Sequence, residues 1–479
     1  MAAAMATFSR AWLMAILLLV ITLATASTPC SAGVMLPSTW PLGGIQSYLA
    51  DAVANVLRPP PTLPAMGPIQ TKIQRVRRLR DARSYTRQRA RLLSAARRHP
   101  SPAHGDMAIN ALSSLHSLLE WEDVDLIVPD TSKRSTLLAL AKMSSSAYES
   151  PPGPPSWEDG FEGWNLTESF GWVENGIRGH IFSNGPQNDT IVMALKGTSA
   201  GILPGGDDTG RRDKVNDNLL FSCCCARVSW TWSPVCPCPF SSTKCSQPCL
   251  ERSLLTESFY YPLITDLYNN VSYAYPTSQI WVTGHSLGGA LSSLIGMTFG
   301  IPAVTFEAPA ERMAARRLHL PTPPPMKHDN DATSGVPRLP ITHVYHSADP
   351  IPMGTCTGSS SLCGQAGYAM ESRCHAGDVV LYNTTYYLGW SENIVKHRIA
   401  TLVDDLLTED WGDRVRREKG KSVKKGGSGR ASWWPWKGSK GKDKDDEWLD
   451  RIGEVPELSD QSKCQDCLDW EFVDRDKTK

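Results

Sequence analysis

An α/β fold with a mostly parallel central sheet is expected from three features of the sequence. The first is the run from Gln279 to Leu291, where a β-rich apolar stretch enters Gly284-His-Ser-Leu-Gly288 and an Ala/Leu-rich stretch leaves it. That is a strand, a tight turn and a helix. The second is a succession of further apolar runs, Thr190–Lys196, Pro302–Pro309 and Ile341–Pro352, which alternates with helical patterns. Alternation of this kind is the signature of strands joined by crossover helices. The third is a Cys-, Gly- and Pro-rich interruption from Gly201 to Leu250, which breaks the alternation without ending it.

The turn is Gly-x-Ser-x-Gly with the strand before and the helix after that give this pentapeptide its meaning. Gly284 and Gly288 allow strand and helix to pack closely around a strained corner. Ser286 then stands exposed at the top of the sheet as a nucleophile, on the plan of an α/β-hydrolase fold. The helix from Leu287 aims its unpaired N–H groups and positive dipole end at the place where an oxyanion would form. On this plan the second oxyanion donor lies in a loop after an early strand. Asp189-Thr-Ile-Val-Met-Ala-Leu-Lys196-Gly197-Thr198 is such a strand and loop, so Leu287 and Thr198 are the expected oxyanion residues.

The chain of 479 residues can bury a large core. Its formal net charge is zero, which argues against nucleic acid as a partner of the whole protein. Of its 13 cysteines, seven lie between Cys223 and Cys249. No histidine lies among those seven and their spacing fits no zinc finger, so disulfides in an oxidising compartment are expected rather than a metal. Four Asn-x-Ser/Thr sequons, at Asn165, Asn188, Asn270 and Asn383, agree with a secretory route and glycosylation. Near the start, Ala11 to Thr25 is almost wholly apolar. This run is short for a span of ~20 residues and fits a cleaved signal and an uncleaved anchor equally well.

The organisation expected from these patterns is a signal or anchor segment over 1–28, a Pro-rich and basic linker over 29–104, a catalytic domain over 105–410 with the Cys-rich insertion at 201–250, and a disordered low-complexity tail over 411–479. Eleven basic residues between Lys72 and Arg98 face a single acid, Asp81. They read as a solvated helix, with attraction to anionic lipid as the rival reading. The insertion reads as a stapled excursion beside the active-site mouth, and so as a candidate lid. Cys464 and Cys467 read as a small disulfide loop.

A serine hydroxyl needs a base, and the base needs a third group to orient it. In this plan the order along the chain is Ser, acid, His. Asp349 ends a strand in a turn stiffened by Pro350 and Pro352, so it is the expected acid. Asp331 sits in a polar loop, and Asp378 begins a strand. His397 opens a late helix read over Ile394–Leu407 and is the expected base. His375 is its rival, His343 and His346 precede the acid, and His285 reads as a strand-end residue. The chemistry calls for no cofactor and no metal.

The block Thr283–Leu291, with Leu195-Lys-Gly-Thr198 upstream and His346–Pro352 and Lys396-His-Arg-Ile399 downstream, resembles a class 3 lipase. Asp217-Asn-Leu-Leu-Phe-Ser-Cys-Cys-Cys225 with Ala226–Trp230 narrows the resemblance to the fungal autophagic-body lipases. It spans about residues 130–410. The resemblance implies hydrolysis of phospholipid or triacylglycerol by Ser286, Asp349 and His397, with vesicle membranes as the partner. It also implies a single-pass type II glycoprotein that passes through endoplasmic reticulum, Golgi and endosome to the vacuole. Two other readings fit the same fold. One is a membrane-binding scaffold without catalysis, the other an acyltransferase or peptidase using the same triad.

Overall fold

The computed structural model describes residues 69–99, 101–150, 163–172, 177–184, 189–198, 208–226, 233–324, 339–426, 452–459 and 461–474. The chain divides into units 1–61 and 62–479, and all described residues belong to the second. The apolar run at 11–25, Asn188, Asp331 and the Trp-containing stretch at 433–436 therefore lie outside the description.

Chain order gives β1 (Thr71–Leu79), α1 (Ala82–Arg98), α2 (Pro102–His116), β2 (Trp121–Pro129) and α3 (Arg134–Ser146). Next come β3 (Trp164–Phe170), β4 (Gly179–Asn184), β5 (Thr190–Leu195) and α4 (Asp208–Phe221). β6 (Lys244–Ser246), α5 (Gln247–Glu257), α6 (Tyr260–Ala274), β7 (Gln279–His285) and α7 (Leu287–Phe299) lead into β8 (Ala303–Phe306) and β9 (Ile341–His346). The last are β10 (Asp378–Tyr382), α8 (Trp411–Gly426), β11 (Leu458–Ser459) and β12 (Glu471–Val473).

Eight strands form the main sheet in the order β11-β10-β9-β8-β7-β5-β4-β3. The five from β5 to β10 that adjoin one another run parallel, and antiparallel strands sit at both edges. This is the α/β-hydrolase fold. Alternate residues divide between its faces, as the strand period of two requires. Ile191, Met193 and Leu195 pack with α6 and α7 on one face, and Val192, Ala194 and Trp281 with α3 on the other. The central strands are buried on both faces, so their sequences read as continuous apolar runs.

The basic stretch departs from expectation. Residues 71–98 are neither a linker nor a free tail but a strand and a helix on the body. β1 pairs antiparallel with β2, setting Arg75 opposite Asp125, Arg77 opposite Asp123 and Arg78 opposite Glu122. Each pair makes a salt bridge, at 3.3, 2.7 and 2.9 Å. The acidic complement lies more than 40 residues away in sequence, at 120–125, where composition gives no hint of pairing. Arg89 on α1 is buried and donates to the backbone oxygens of Leu318 (2.6 Å) and His319 (3.3 Å), the end of a short helix. With these partners engaged, the stretch is not a loose cationic surface.

The tail is also built in where it is described. Trp411 and Val415 of α8 enter the core, β11 extends the sheet beside β10, and β12 pairs with β6. The twelve described cysteines form six disulfides. Three staple the insertion internally: Cys224–Cys245, Cys225–Cys236 and Cys238–Cys249. Against the expectation of a small local loop, Cys464 and Cys467 do not pair with each other. They reach back to Cys374 and Cys223. The described part of the insertion packs into the core through Leu220, Phe221, Cys224 and Cys225.

Candidate active site

The site begins at a single strained residue. Ser286 has φ 56° and ψ −131°, between the end of β7 and the first turn of α7. A positive φ is costly for a residue with a Cβ and persists only where the surroundings fix it. Here the Ser286 N–H donates to the Phe306 carbonyl of β8 at 3.0 Å. Two glycines make the corner possible. A Cβ on Gly284 would stand 2.5 Å from the Gly288 carbonyl carbon, and one on Gly288 would stand 2.3 Å from the Leu195 oxygen. Gly288→Ala must push α7 away from β5. A stability loss of about 1–3 kcal/mol is expected in denaturant titration. Esterase kcat should fall roughly 10²-fold, because the displaced corner carries Ser286 with it.

His397 ends a 3₁₀ turn, Ile394–His397, rather than opening the long helix expected, and residues Thr401–Leu406 form a π-helical turn. Its Nε2 lies 2.8 Å from Ser286 Oγ, and its Nδ1 lies 2.7 Å from Asp349 Oδ2. Asp349 is fully buried and accepts at Oδ1 from the Ile351 N–H, 3.0 Å away. Burial opposes its charge, but His397 and then Glu307 outweigh burial and hold its carboxyl below the ordinary range. The structure thus brings Ser286, His397 and Asp349 into one hydrogen-bonded line.

The other histidines support this line. His346 Nε2 donates to the Lys396 oxygen at 3.1 Å, and His285 Nε2 donates to the His397 oxygen at 2.7 Å. They clamp the backbone carbonyls of Lys396 and His397. Burial and the neighbouring His397 push His285 down to about 3, so it stays neutral and its Nδ1 is free to accept from the Tyr148 hydroxyl at 2.7 Å. Tyr148 in turn accepts from the Gly197 N–H at 3.2 Å. One chain of hydrogen bonds therefore links the loop after β5 to the loop carrying His397.

Thr198 follows Gly197, where a Cβ would lie 2.9 Å from Ser286 Cβ, so this loop touches the serine. The Thr198 hydroxyl donates to Asp217 Oδ2 on α4 at 2.8 Å. Burial, and then the charge of Asp213, push the Asp217 carboxyl well above the ordinary range. Leu287 is the first residue of α7 and is buried. Nothing local in the sequence marks Tyr148, and Asp217 stands there only within the block Asp217–Trp230.

The rival candidates lie elsewhere. Asp378 starts β10 opposite Thr342. His343 and His375 are fully buried with Glu311, their donor atoms within 4.8 Å of one another. Both His343 nitrogens are already engaged, by Thr305 Oγ1 and the Ala376 oxygen, each at 2.8 Å. Burial opposes the Glu311 charge, but the two histidines outweigh it and hold its carboxyl below the ordinary range. Such a set has the donors for a metal, yet its bonds already serve the fold. Of the described sequons, Asn165 and Asn270 are exposed. Asn383 is half-buried, and its side-chain oxygen accepts from the Tyr386 N–H at 3.3 Å.

A mostly parallel sheet, a strained serine at a strand–helix corner and a histidine between serine and carboxylate are the attributes of a hydrolase. A class 3 lipase family profile matches residues 249–355. An ATG15-named lipase sequence of Mycosarcoma maydis is 52% identical over 418 residues, covering 85% of this chain and 76% of its own. One of Cryptococcus neoformans is 46% identical over 377 residues, covering 74% and 70%. The chain belongs to the ATG15 family of class 3 lipases. Yarrowia lipolytica LIP2 lipase, a solved structure, covers 52% of this chain and 78% of its own, at 18% identity and a TM-score of 0.28.

Proposed function

We propose that this lipase hydrolyses carboxylic esters of phospholipid and triacylglycerol by a Ser286-His397-Asp349 triad. The observation that carries the reading is the unbroken pair of hydrogen bonds, 2.8 Å from Ser286 to His397 and 2.7 Å from His397 to Asp349. His397 takes the proton of Ser286 as Oγ attacks the ester carbonyl, then returns it to the leaving alcohol. Asp349 fixes the imidazole and stabilises its cation. Water, activated by the same histidine, then frees the fatty acid. The N–H groups of Leu287 and Thr198 receive the oxyanion. No step draws on a metal or a cofactor.

The setting we infer is the vacuole lumen, where the substrate is the membrane of autophagic bodies and multivesicular-body vesicles. The family name, the disulfides and the sequons support that setting. Among the described residues no helix is long and apolar enough to cross a membrane. The run at 11–25 lies outside them, and type II anchoring through it belongs to the proposal, as does glycosylation at Asn165, Asn188, Asn270 and Asn383.

The test is fatty-acid release at mildly acidic pH from phosphatidylcholine/phosphatidylserine vesicles and from a triolein emulsion. A serine-directed phosphonate serves as control. Release that the phosphonate stops is the expected result. Vesicle binding without release from either substrate would favour the scaffold reading instead.

A further inference from the structure

Glu307 stands one residue beyond β8, the strand between the one that delivers Ser286 and the one that delivers Asp349. Its side chain has no solvent exposure, and its φ is 45°, the second strained non-glycine residue at this edge of the sheet after Ser286. Backbone strain is held here by the Glu307 N–H, which donates to the Val344 oxygen at 3.0 Å. The carboxyl is thereby aimed at the turn after β9. Glu307 Oε1 accepts from the His346 N–H at 3.2 Å, and His346 Nε2 is 3.6 Å from the same oxygen. Oε2 is buried and has no N–H or hydroxyl partner. The same side chain lies within hydrogen-bonding reach of the Asp349 carboxylate.

Two carboxylates that touch in a buried site cannot both be ionised. Asp349 is needed as the anion, because it orients His397. The proton therefore belongs on Glu307. Burial, the Asp349 charge and the hydrogen bond between the two push the Glu307 carboxyl well above the ordinary range. The other titratable groups around it are His346 and Tyr345 at the end of β9, His397 behind Asp349, and Glu311 with its two histidines. Burial holds His346 neutral, down to about 4. None of these supplies the missing donor to Oε2.

Resting on the triad reading, we propose that Glu307 is a positioning residue of the site. As a neutral acid it donates a hydrogen bond from Oε2 to Asp349 and fixes the carboxylate that orients His397. The line thus has a fourth member, Glu307-Asp349-His397-Ser286. The extra donor keeps Asp349 ionised at lower pH than burial alone would permit. That is an advantage in an acidic lumen.

The experiment is the pH profile of kcat for wild type, Glu307→Gln and Glu307→Leu on a soluble ester, with Ser286→Ala alongside. Gln can accept from the His346 N–H and donate to Asp349, so its kcat should stay within about 3-fold of wild type and its acid limb should not move. Leu removes the donor. Its kcat should fall roughly 10- to 100-fold at steady KM. The Asp349 carboxyl then protonates more easily, so the acid limb should move up by about one pH unit.

A folded Leu variant with the wild-type acid limb overturns the proposal, and so does a Gln variant shifted as far as Leu. If the Leu variant does not fold, Glu307→Asp replaces it, withdrawing the acid by one methylene. It must shift the limb upward, and an unmoved limb there also overturns the proposal. Retained activity in Ser286→Ala would sink the triad reading itself. Loss of activity there with unmoved Glu307 profiles sinks this inference alone.

Discussion

Ser286→Ala is expected to lower kcat for ester hydrolysis by roughly 10⁴- to 10⁶-fold while leaving lipid binding unchanged. A 10⁵-fold loss corresponds to about 7 kcal/mol of transition-state stabilisation. The reason is chemical. Without Oγ there is no acyl-enzyme, and water must attack the ester directly with only the oxyanion donors to help it. The change removes one buried hydroxyl whose partner, His397, remains held by Asp349 at 2.7 Å. Alanine also relieves no clash at φ 56°, so the corner should keep its shape. Circular dichroism and vesicle co-sedimentation separate a lost nucleophile from a lost fold. Asp349→Asn should fall nearly as far, by roughly 10⁴-fold, because the amide holds His397 in the wrong tautomer.

Opening the two disulfides of the C-terminal segment should produce the largest loss of stability. Cys223–Cys467 closes a separation of 244 residues, and Cys374–Cys464 one of 90. By chain entropy such loops are worth about 5.5 and about 4.6 kcal/mol, against about 2 kcal/mol for the seven-residue separation of Cys356–Cys363. Paired Cys→Ser replacement at either long bridge should lower Tm by roughly 5–10 °C, and the short bridge by less than half of that. The segment also seats β11 beside β10, whose other neighbour is β9, the strand that presents Asp349. Loss of the long bridges should therefore reach kcat as well as Tm. Equal Tm losses from long and short bridges would count against this view.

What could be read from the sequence was local, and what could not was long-range. Gly284-His-Ser-Leu-Gly288 carries its strand and its helix on either side, so the corner announced itself. Order along the chain and strand ends single out Asp349 and His397, and the structure sets His397 between Ser286 and Asp349. Two of the misreadings involve a partner far away. Arg75, Arg77 and Arg78 looked like free charge because Asp125, Asp123 and Glu122 lie on another strand. Cys464 and Cys467 looked like a pair because adjacency is visible and a fold that returns them to Cys374 and Cys223 is not. The pattern from Glu251 to Tyr268 reads as one helix, and the structure has two, α5 and α6, parted near Ser258 and Phe259.

The supporting residues of the site show the same limit. Tyr148 lies two residues beyond α3 with nothing in its sequence neighbourhood to mark it, and only the folded chain sets its hydroxyl between Gly197 and His285. Glu307 stood in plain view after the β8 pattern. Its meaning depends on Asp349, which is 42 positions later in sequence and one strand away in space.

The most direct test of the central claim is to treat the protein with a fluorophosphonate ester and map the adduct by peptide mass spectrometry. The account predicts one adduct, on Ser286, formed in step with loss of lipase activity and absent from Ser286→Ala. Activity that survives complete labelling of Ser286, or an adduct on another serine that tracks inactivation, would contradict it.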